Sequence, residues 1–284
     1  MLRIGCVKYL NARPLIHGWS GAVDFDHPAA LCRKLEHGDL DVALVSSLEY
    51  LRRPIYRIVD GVSISAHGAV YSVIVAYKED LSRAQEIDID PASETSVALL
   101  RCLLDHRDLN PRLVWNTDLQ SVRPAELYSA EPGTRRASSG PEIADSMSAG
   151  RTGQEPVFRL LIGDQAIRFR ADYGERYHYW DLAETWTKMT SLPFAFAFWL
   201  IRPEIENAKE IADKLRALRD QNVASIDELA LSQSEVSPAF CLKYYREHLF
   251  FDFGEREKAG LREFHRRCLL NKIDVAPDLR LNLV

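Results

Sequence analysis

The sequence predicts an α/β protein built from two similar lobes that share a ligand cleft. The main observation is a unit of helix, glycine stop and apolar strand that occurs twice, over residues 28–47 and again over 141–164. In both copies the strand ends at short polar or glycine residues. Ligands of α/β sheets bind beyond the carboxyl ends of strands, so each copy would present one loop to the cleft. Since any α/β protein repeats this pattern, the two copies could also be coincidental.

Apolar periodicity and turn residues predict the individual elements. Strands are expected at 1–7, 40–45, 70–77, 157–162 and 194–201. Helices are expected at 28–36, 97–104, 141–149, 205–218 and 261–268. The segment 129–140 is turn-rich and charged, which favours a surface loop.

The strands at 70–77 and 194–201 are expected to carry the chain from one lobe to the other. This assigns residues 1–75 together with 195–284 to lobe I and residues 76–194 to lobe II. Lobe I is therefore predicted to be discontinuous, with both ends of the chain in it.

Composition narrows the class of protein. The chain has 284 residues, 46% of them hydrophobic, and a net charge of -5, which is ordinary for a globular protein and argues against a nucleic-acid partner. No apolar run is long enough for a membrane span, and no signal peptide is evident. Five scattered cysteines without a CxxC pair fit buried, reduced thiols, so a cytoplasmic location is expected.

Several common chemistries lack their motifs. The sequence has no phosphate-binding GxxxxGK[ST] loop, no HExxH, no GxSxG and no GxGxxG after the first strand. The histidines do not cluster at metal-ligand spacing; His265 and Cys268 share a helix face, but two ligands do not make a site. The sequence therefore predicts neither a metal nor a cofactor.

Neutral polar residues at element ends remain as candidates. Asn11 follows the first strand, and spacing alone favours it as the cap of a helix starting at Ala12, although its amide could instead face the cleft. Ser93, Thr95 and Ser96 lie at a helix start, where they serve either as caps or as donors to a carboxylate.

Hydroxyl and aromatic side chains complete the candidate set. The strand-associated hydroxyls of Ser46, Ser47 and Ser72 are candidates to line the same cleft. A dense aromatic region over 177–199 is expected to be mostly core, with one or two rings against a ring-shaped ligand. Together these residues describe a site that binds an anion through neutral donors.

Taken together, several stretches resemble the menaquinone-biosynthesis enzymes of the futalosine route and, within them, the chorismate dehydratases. They run in family order from residue 5 to about 200, and a further stretch lies near the C-terminus: GCVKYLNARPL at 5–15, GDLDVALVSS at 38–47, YSV at 71–73, SETS at 93–96, IGD at 162–164, DL at 181–182 with Trp186, LPF at 192–194, and YYREHLFFDFG at 244–254. The segment 129–140 departs from the family pattern because it looks longer than usual.

The resemblance implies a type 2 periplasmic-binding-protein fold, with chorismate as the substrate and 3-[(1-carboxyvinyl)oxy]benzoate and water as the products of a carbon–oxygen lyase. It implies no cofactor, no nucleic acid and no membrane partner. Asn11 and Ser72 are the predicted catalytic residues. The predicted substrate-binding residues are Ser46, Ser47, Ser93, Thr95, Ser96, Ile162, Gly163 and Asp164.

A mechanism follows as a hypothesis. The reaction removes the ring C3 proton and the C4 hydroxyl, and the ring becomes aromatic. Donors at Ser93, Thr95 and Ser96 would stabilise charge that spreads into the ring carboxylate, while Asn11 would orient the leaving hydroxyl. No histidine is convincing as the base, so the enolpyruvyl carboxylate of the substrate is the candidate proton acceptor.

Two alternatives stay open. One is the sister enzyme, 1,4-dihydroxy-6-naphthoate synthase, which by the resemblance carries a catalytic histidine in the loop where this chain has Gly163. The other is a non-catalytic protein on the same scaffold that binds a small carboxylate, because one fold hosts receptors and enzymes alike.

Overall fold

Two mixed β-sheets organise the described part of the chain, which in this computed structural model comprises residues 2–90, 94–115 and 158–284. Several sequence predictions lie outside these residues, namely the helix at 141–149, the loop at 129–140 and the site residue Ser93.

The first sheet has parallel strands on one side and antiparallel strands on the other. Its order is β2 (Val23–Phe25), β1 (Ile4–Cys6), β3 (Val42–Ser46), β11 (Phe194–Ile201) and β4 (Arg57–Ile58), and β5 (Ile64–Ala66) also pairs with β11. Strand β1 is parallel to β2 and β3, whereas β11 is antiparallel to β3, β4 and β5. Every residue of β3 except Ser46 is buried, because the strand lies in the middle of the sheet.

The second sheet follows the same mixed plan. Its order is β10 (His178–Asp181), β6 (Val73–Tyr77), β9 (Phe158–Ile162), β7 (Glu86–Ile89) and β8 (Arg112–Trp115). Strand β6 is antiparallel to β9 and β10, and β7 is parallel to β8 and β9.

Helices connect the strands and cover the sheets. They are α1 (Arg13–Ile16), α2 (Pro28–His37), α3 (Ser47–Arg52), α4 (Glu94–His106), α5 (Gly163–Tyr173), α6 (Leu182–Thr190), α7 (Ala208–Ala224), α8 (Ile226–Leu231), α9 (Pro238–Lys243) and α10 (Glu255–Leu270). The glycine stop of the first repeat unit is confirmed, since α2 ends at Gly38 in the left-handed conformation. Among the described residues, no helix combines the length and apolar character needed to cross a bilayer.

The chain passes from the first sheet to the second between β5 and β6 and returns between β10 and β11. The predicted lobe boundary at 75/76 falls inside β6, and the one at 194/195 falls at the start of β11. These boundaries stay a prediction.

Sequence periodicity located the long elements well, while several boundaries differ, among them both ends of the helix predicted at 261–268, which is α10. Strand β11 matches its prediction, but β6 begins at Val73 rather than at residue 70, because the backbone at Tyr71 is left-handed (φ 68°). Helix α4 extends over both ends of the predicted 97–104, and α7 begins at Ala208, so Ile205 lies outside it.

Asn11 is not a helix cap, so that interpretation was wrong. A 3₁₀ turn covers Leu10–Ala12, and α1 begins only at Arg13 without a side-chain cap. Since neither the turn nor α1 has a side-chain cap bond, the Asn11 side chain does not serve the helix start.

Candidate functional site

A cavity lies where the carboxyl ends of strands from both sheets meet. Its walls combine apolar side chains with small polar ones and a single carboxylate: Val7, Tyr9, Asn11, Pro28, Leu44, Val45, Ser46, Ile64, Val70, Ser72, Val73, Glu94, Thr95, Ser96, Ile162, Gly163, Phe196 and Ala197. Strand ends are the expected ligand position in sheets of this kind.

Two strand-to-helix turns supply part of the wall. The extended backbone at Ser46 (φ −64°, ψ 146°) ends β3, and α3 begins at the next residue. The extended backbone at Ile162 (φ −133°, ψ 157°) ends β9 in the same way, and α5 follows. The N-terminus of α5 is therefore directed toward the cavity, and so is that of α4, whose first-turn residues line it.

Gly163 allows a close approach between the two sheets. Its backbone is left-handed (φ 53°), and a Cβ atom there would lie 3.2 Å from the ring of Tyr9. The Gly163 N–H donates to the carbonyl of Ser72 at 2.7 Å. Both the backbone conformation and the neighbouring ring thus favour glycine at this position.

Ser72, Tyr244 and Asn11 form a hydrogen-bonded set at the base of the cavity. The Ser72 and Tyr244 hydroxyls lie 2.7 Å apart, and the Asn11 side chain is close enough to the Tyr244 hydroxyl to act as a donor that opposes the rise in the pKa of the phenol. Burial raises the pKa of Tyr244, so its phenol stays protonated. Asn11 Oδ1 is inaccessible to solvent and has no hydrogen-bond partner among the described residues.

The start of α4 is held against α3. The Thr95 hydroxyl accepts the backbone N–H of Leu48 at 3.1 Å, and Glu94 forms an ion pair with Arg52. Because the Thr95 oxygen acts as acceptor in this bond, its own proton can be donated elsewhere.

A buried carboxylate fixes the loop before β6. Asp181 accepts the backbone N–H groups of Val70 at 3.2 Å, Tyr71 at 2.7 Å and Glu184 at 3.1 Å. These bonds hold Tyr71 in its left-handed conformation and so set the position of Ser72. Burial raises the pKa of Asp181, although the three N–H donors oppose that shift.

Asp164 lies behind the cavity wall. Its Oδ1 accepts the Leu10 N–H at 2.9 Å, which joins the start of α5 to the turn that carries Asn11. Burial raises the pKa of Asp164 to about 6; the Leu10 bond and Arg168 lower it, and nearby Glu235 raises it.

A sequence model described as menaquinone biosynthesis matches residues 2–127 and 125–269, which together are most of the chain. The chain belongs to the menaquinone biosynthesis family. This confirms the resemblance found in the sequence.

Individual relatives of this family member agree with the family and the fold. A chorismate dehydratase of Thermus thermophilus is 28% identical over 92% of this chain and 93% of its own length. A crystal structure from Archaeoglobus fulgidus superposes with a TM-score of 0.64 at 17% identity, covering 96% of this chain and 98% of that one. The aliphatic sulphonate binding protein of Escherichia coli gives a TM-score of 0.58 at 11% identity, with 99% and 94% covered. The predicted periplasmic-binding-protein-like α/β fold is thereby confirmed.

Most of the predicted site residues of this family member meet at the cavity. Those that line it are Asn11, Ser46, Ser72, Thr95, Ser96, Ile162 and Gly163. Ser47 is fully buried at the start of α3 and does not line the cavity, and neither does Asp164. Ser93 lies outside the described residues.

Sequence reasoning missed three polar residues at this site. Tyr9 and Glu94 lie inside the motifs that carried the resemblance, so the motif itself was the available signal. Phe196 fulfils the expectation that one or two rings of the aromatic region wall the cavity. Tyr244 begins the stretch 244–254 that also carried the resemblance, but no local pattern indicated its contact with Ser72, which spans 172 positions.

The cavity offers neutral donors and two helix N-termini rather than a cationic clamp. Glu94, which is the single carboxylate among the described lining residues, is paired with Arg52. No group of three or more His, Cys, Asp or Glu side chains within residues 2–90, 94–115 and 158–284 has the arrangement of a metal site. Such walls suit a small carboxylate-bearing ring that contacts apolar side chains on its faces.

Proposed function

We propose that this protein is a chorismate dehydratase, a carbon–oxygen lyase that converts chorismate to 3-[(1-carboxyvinyl)oxy]benzoate and water. The observation that carries the proposal is the convergence of Asn11, Ser72 and the first turn of α4 on one largely apolar cavity. The name of the Thermus thermophilus relative supports the choice of substrate.

The ring becomes aromatic when water is lost, so the driving force lies in the substrate. The protein therefore mainly has to orient chorismate. As the C3 proton departs, negative charge spreads through the ring double bond to the ring carboxylate. Hydroxyl donors at Thr95 and Ser96 and the N-terminal dipole of α4 stabilise a carboxylate placed at that end of the cavity.

The leaving group is the C4 hydroxyl, and Asn11 and Ser72 are the groups that hold it. The enolpyruvyl carboxylate of the substrate takes the C3 proton, and the electron pair of the C3–H bond forms the new ring double bond. The C4–O bond breaks, and the departing hydroxide receives that proton to leave as water. The protein's part is to hold this geometry in a cavity with apolar walls.

Gly163 favours the dehydratase over the sister 1,4-dihydroxy-6-naphthoate synthase. A histidine at position 163 would place its Cβ against the Tyr9 ring at 3.2 Å and in a left-handed backbone conformation. A histidine at this position would therefore strain the backbone and crowd the Tyr9 ring, which supports the dehydratase.

The deciding experiment incubates purified protein with chorismate, without added metal or cofactor, and follows it by mass-resolved chromatography. A product lighter by one water, formed only with enzyme, is the expected result. Unchanged chorismate that nevertheless binds would identify a binding protein, and turnover of a futalosine-derived substrate instead would identify the sister synthase.

Asn11→Ala should lower kcat by about 100-fold or more, because one preorganised hydrogen-bond group at a reacting oxygen is lost. The matched control is Asn207→Ala, at an exposed position before α7. Near-normal turnover by a folded Asn11→Ala variant would remove Asn11 from the reaction.

A further inference from the structure

We propose that Tyr244 is a positioning residue that sets the hydrogen-bond direction of both Asn11 and Ser72. The proposal rests on the proposed function and deepens it. A hydroxyl leaving group presents one proton and one oxygen, so it requires one acceptor and one donor from the protein. Tyr244 determines which of the two cavity residues plays which part.

The geometry places the Tyr244 hydroxyl between the two side chains. It lies 2.7 Å from Ser72 Oγ and bonds Asn11 as well, while Tyr244 itself is only 1% exposed. Asn11 comes from the turn after β1, and Ser72 precedes β6 in the other sheet. One phenol therefore bridges the two halves of the site.

The directions of these bonds follow from the number of protons. Asn11 Oδ1 has no partner among the described residues, so Asn11 bonds the phenol oxygen through its amide N–H. The phenol's single proton is then donated to Ser72 Oγ. This leaves the Ser72 proton and the Asn11 carbonyl oxygen for a ligand, which is one donor and one acceptor for the C4 hydroxyl.

Aromatic neighbours hold the phenol ring in place. Tyr244 stacks on Phe240 with ring centroids 6.0 Å apart and an interplanar angle of 11°, and it lies tilted against His248 at 6.4 Å. The residue begins a π-helical turn over Tyr244–His248. Such wide turns recur at functional sites, because they re-aim side chains that a regular helix would direct elsewhere.

Tyr244→Phe removes only the hydroxyl and retains the ring stack. We expect kcat to fall about 10- to 100-fold with little change in KM, as for other residues that orient a first contact group. The control is Tyr50→Phe, since Tyr50 is equally buried and its hydroxyl bonds the backbone of Arg280 and Asn282 away from the cavity. Tyr50→Phe should lower stability by a similar amount and leave kcat unchanged.

A double-variant cycle separates positioning from a general structural role. Tyr244→Phe should lower kcat less in a Ser72→Ala background than in the wild type, because only its action through Asn11 remains. If the fold-loss in kcat of the double variant equals the product of the two single losses, Tyr244 does not act through Ser72, and that part of the proposal is overturned.

Crystal structures supply a readout that does not need turnover. In Tyr244→Phe, the Asn11 amide or the Ser72 hydroxyl should adopt a different rotamer from the wild type. Unchanged side chains together with wild-type kcat would overturn the proposal. If the wild type leaves chorismate unchanged, the proposed function fails, and the rotamers of Asn11 and Ser72 in the two crystal structures then decide the positioning role alone.

Discussion

At the scale of single residues, the site depends on a glycine and on a supporting carboxylate as much as on the side chains that line the cavity. Gly163 lets the Tyr9 ring lie against the start of α5, and Asp164 beside it fastens the Leu10 N–H behind the cavity. Neither residue needs to touch substrate to place Asn11, because both act on the turn that carries it.

Asp164 should make stability depend on pH. Its folded-state pKa of about 6 lies above the ordinary aspartate value of 3.8, so the native state binds the proton more tightly than the unfolded chain does. The stabilisation is fully present below about pH 4 and is lost as the pH rises through about 6, with a total of about 3 kcal/mol.

Asp164→Asn should remove that dependence, since its amide oxygen can still accept the Leu10 N–H. Urea unfolding of the wild type and of Asp164→Asn between about pH 4 and pH 7 measures the pH dependence of the unfolding free energy. The wild type should lose stability relative to the variant as the pH rises. A difference in unfolding free energy that stays constant over this range would contradict the prediction.

At the scale of elements, the cavity exists because helix N-termini and strand ends from both sheets are held together. The first turn of α4 reaches the start of α3 through the Thr95 hydroxyl and the end of α3 through the Glu94–Arg52 pair. Since Glu94 and Arg52 are partly exposed, their pair contributes little, whereas the buried Thr95 bond satisfies a backbone N–H.

Thr95→Val should lower the free energy of unfolding by about 1–3 kcal/mol, because it leaves the buried Leu48 N–H without an acceptor. Thr95→Ser keeps the hydroxyl and is the matched control, with a smaller loss expected from one missing methyl group. Chemical denaturation of the three proteins gives the comparison. Equal stability of Thr95→Val and the wild type would show that the bond does not form in solution.

At the scale of the whole molecule, contacts across the cavity join the two sheets. Leu10 bonds Asp164, Leu48 bonds Thr95, and Tyr244 bonds Ser72. A ligand that touches both walls adds to these contacts and should therefore favour the closed arrangement over any open one.

Saturating 3-[(1-carboxyvinyl)oxy]benzoate, the proposed product, should slow amide hydrogen exchange at residues 70–73 and 94–97. These segments line the cavity from the second-sheet side, whereas α7 packs on α1 outside the cavity and serves as an internal control. Protection spread evenly over the molecule, or absent from the two segments, would argue against a cleft that closes on its ligand.

The sequence by itself determined the elements and most of the candidate site. The strand at 194–201 and the helix ended by Gly38 were predictable because periodicity and glycine stops act over a few residues. Asn11 and Ser72 could be singled out because they lie in short motifs next to strand ends.

Only the tertiary structure decided which distant residues support those motifs. The contact of Tyr244 with Ser72, the closeness of Tyr9 to Gly163 and the bond between Asp164 and Leu10 arise from the path by which the chain returns to the first sheet. Such contacts leave no local pattern in the sequence, because they depend on the packing of segments that are far apart along the chain. The residues that support the site could therefore be identified only from the tertiary structure.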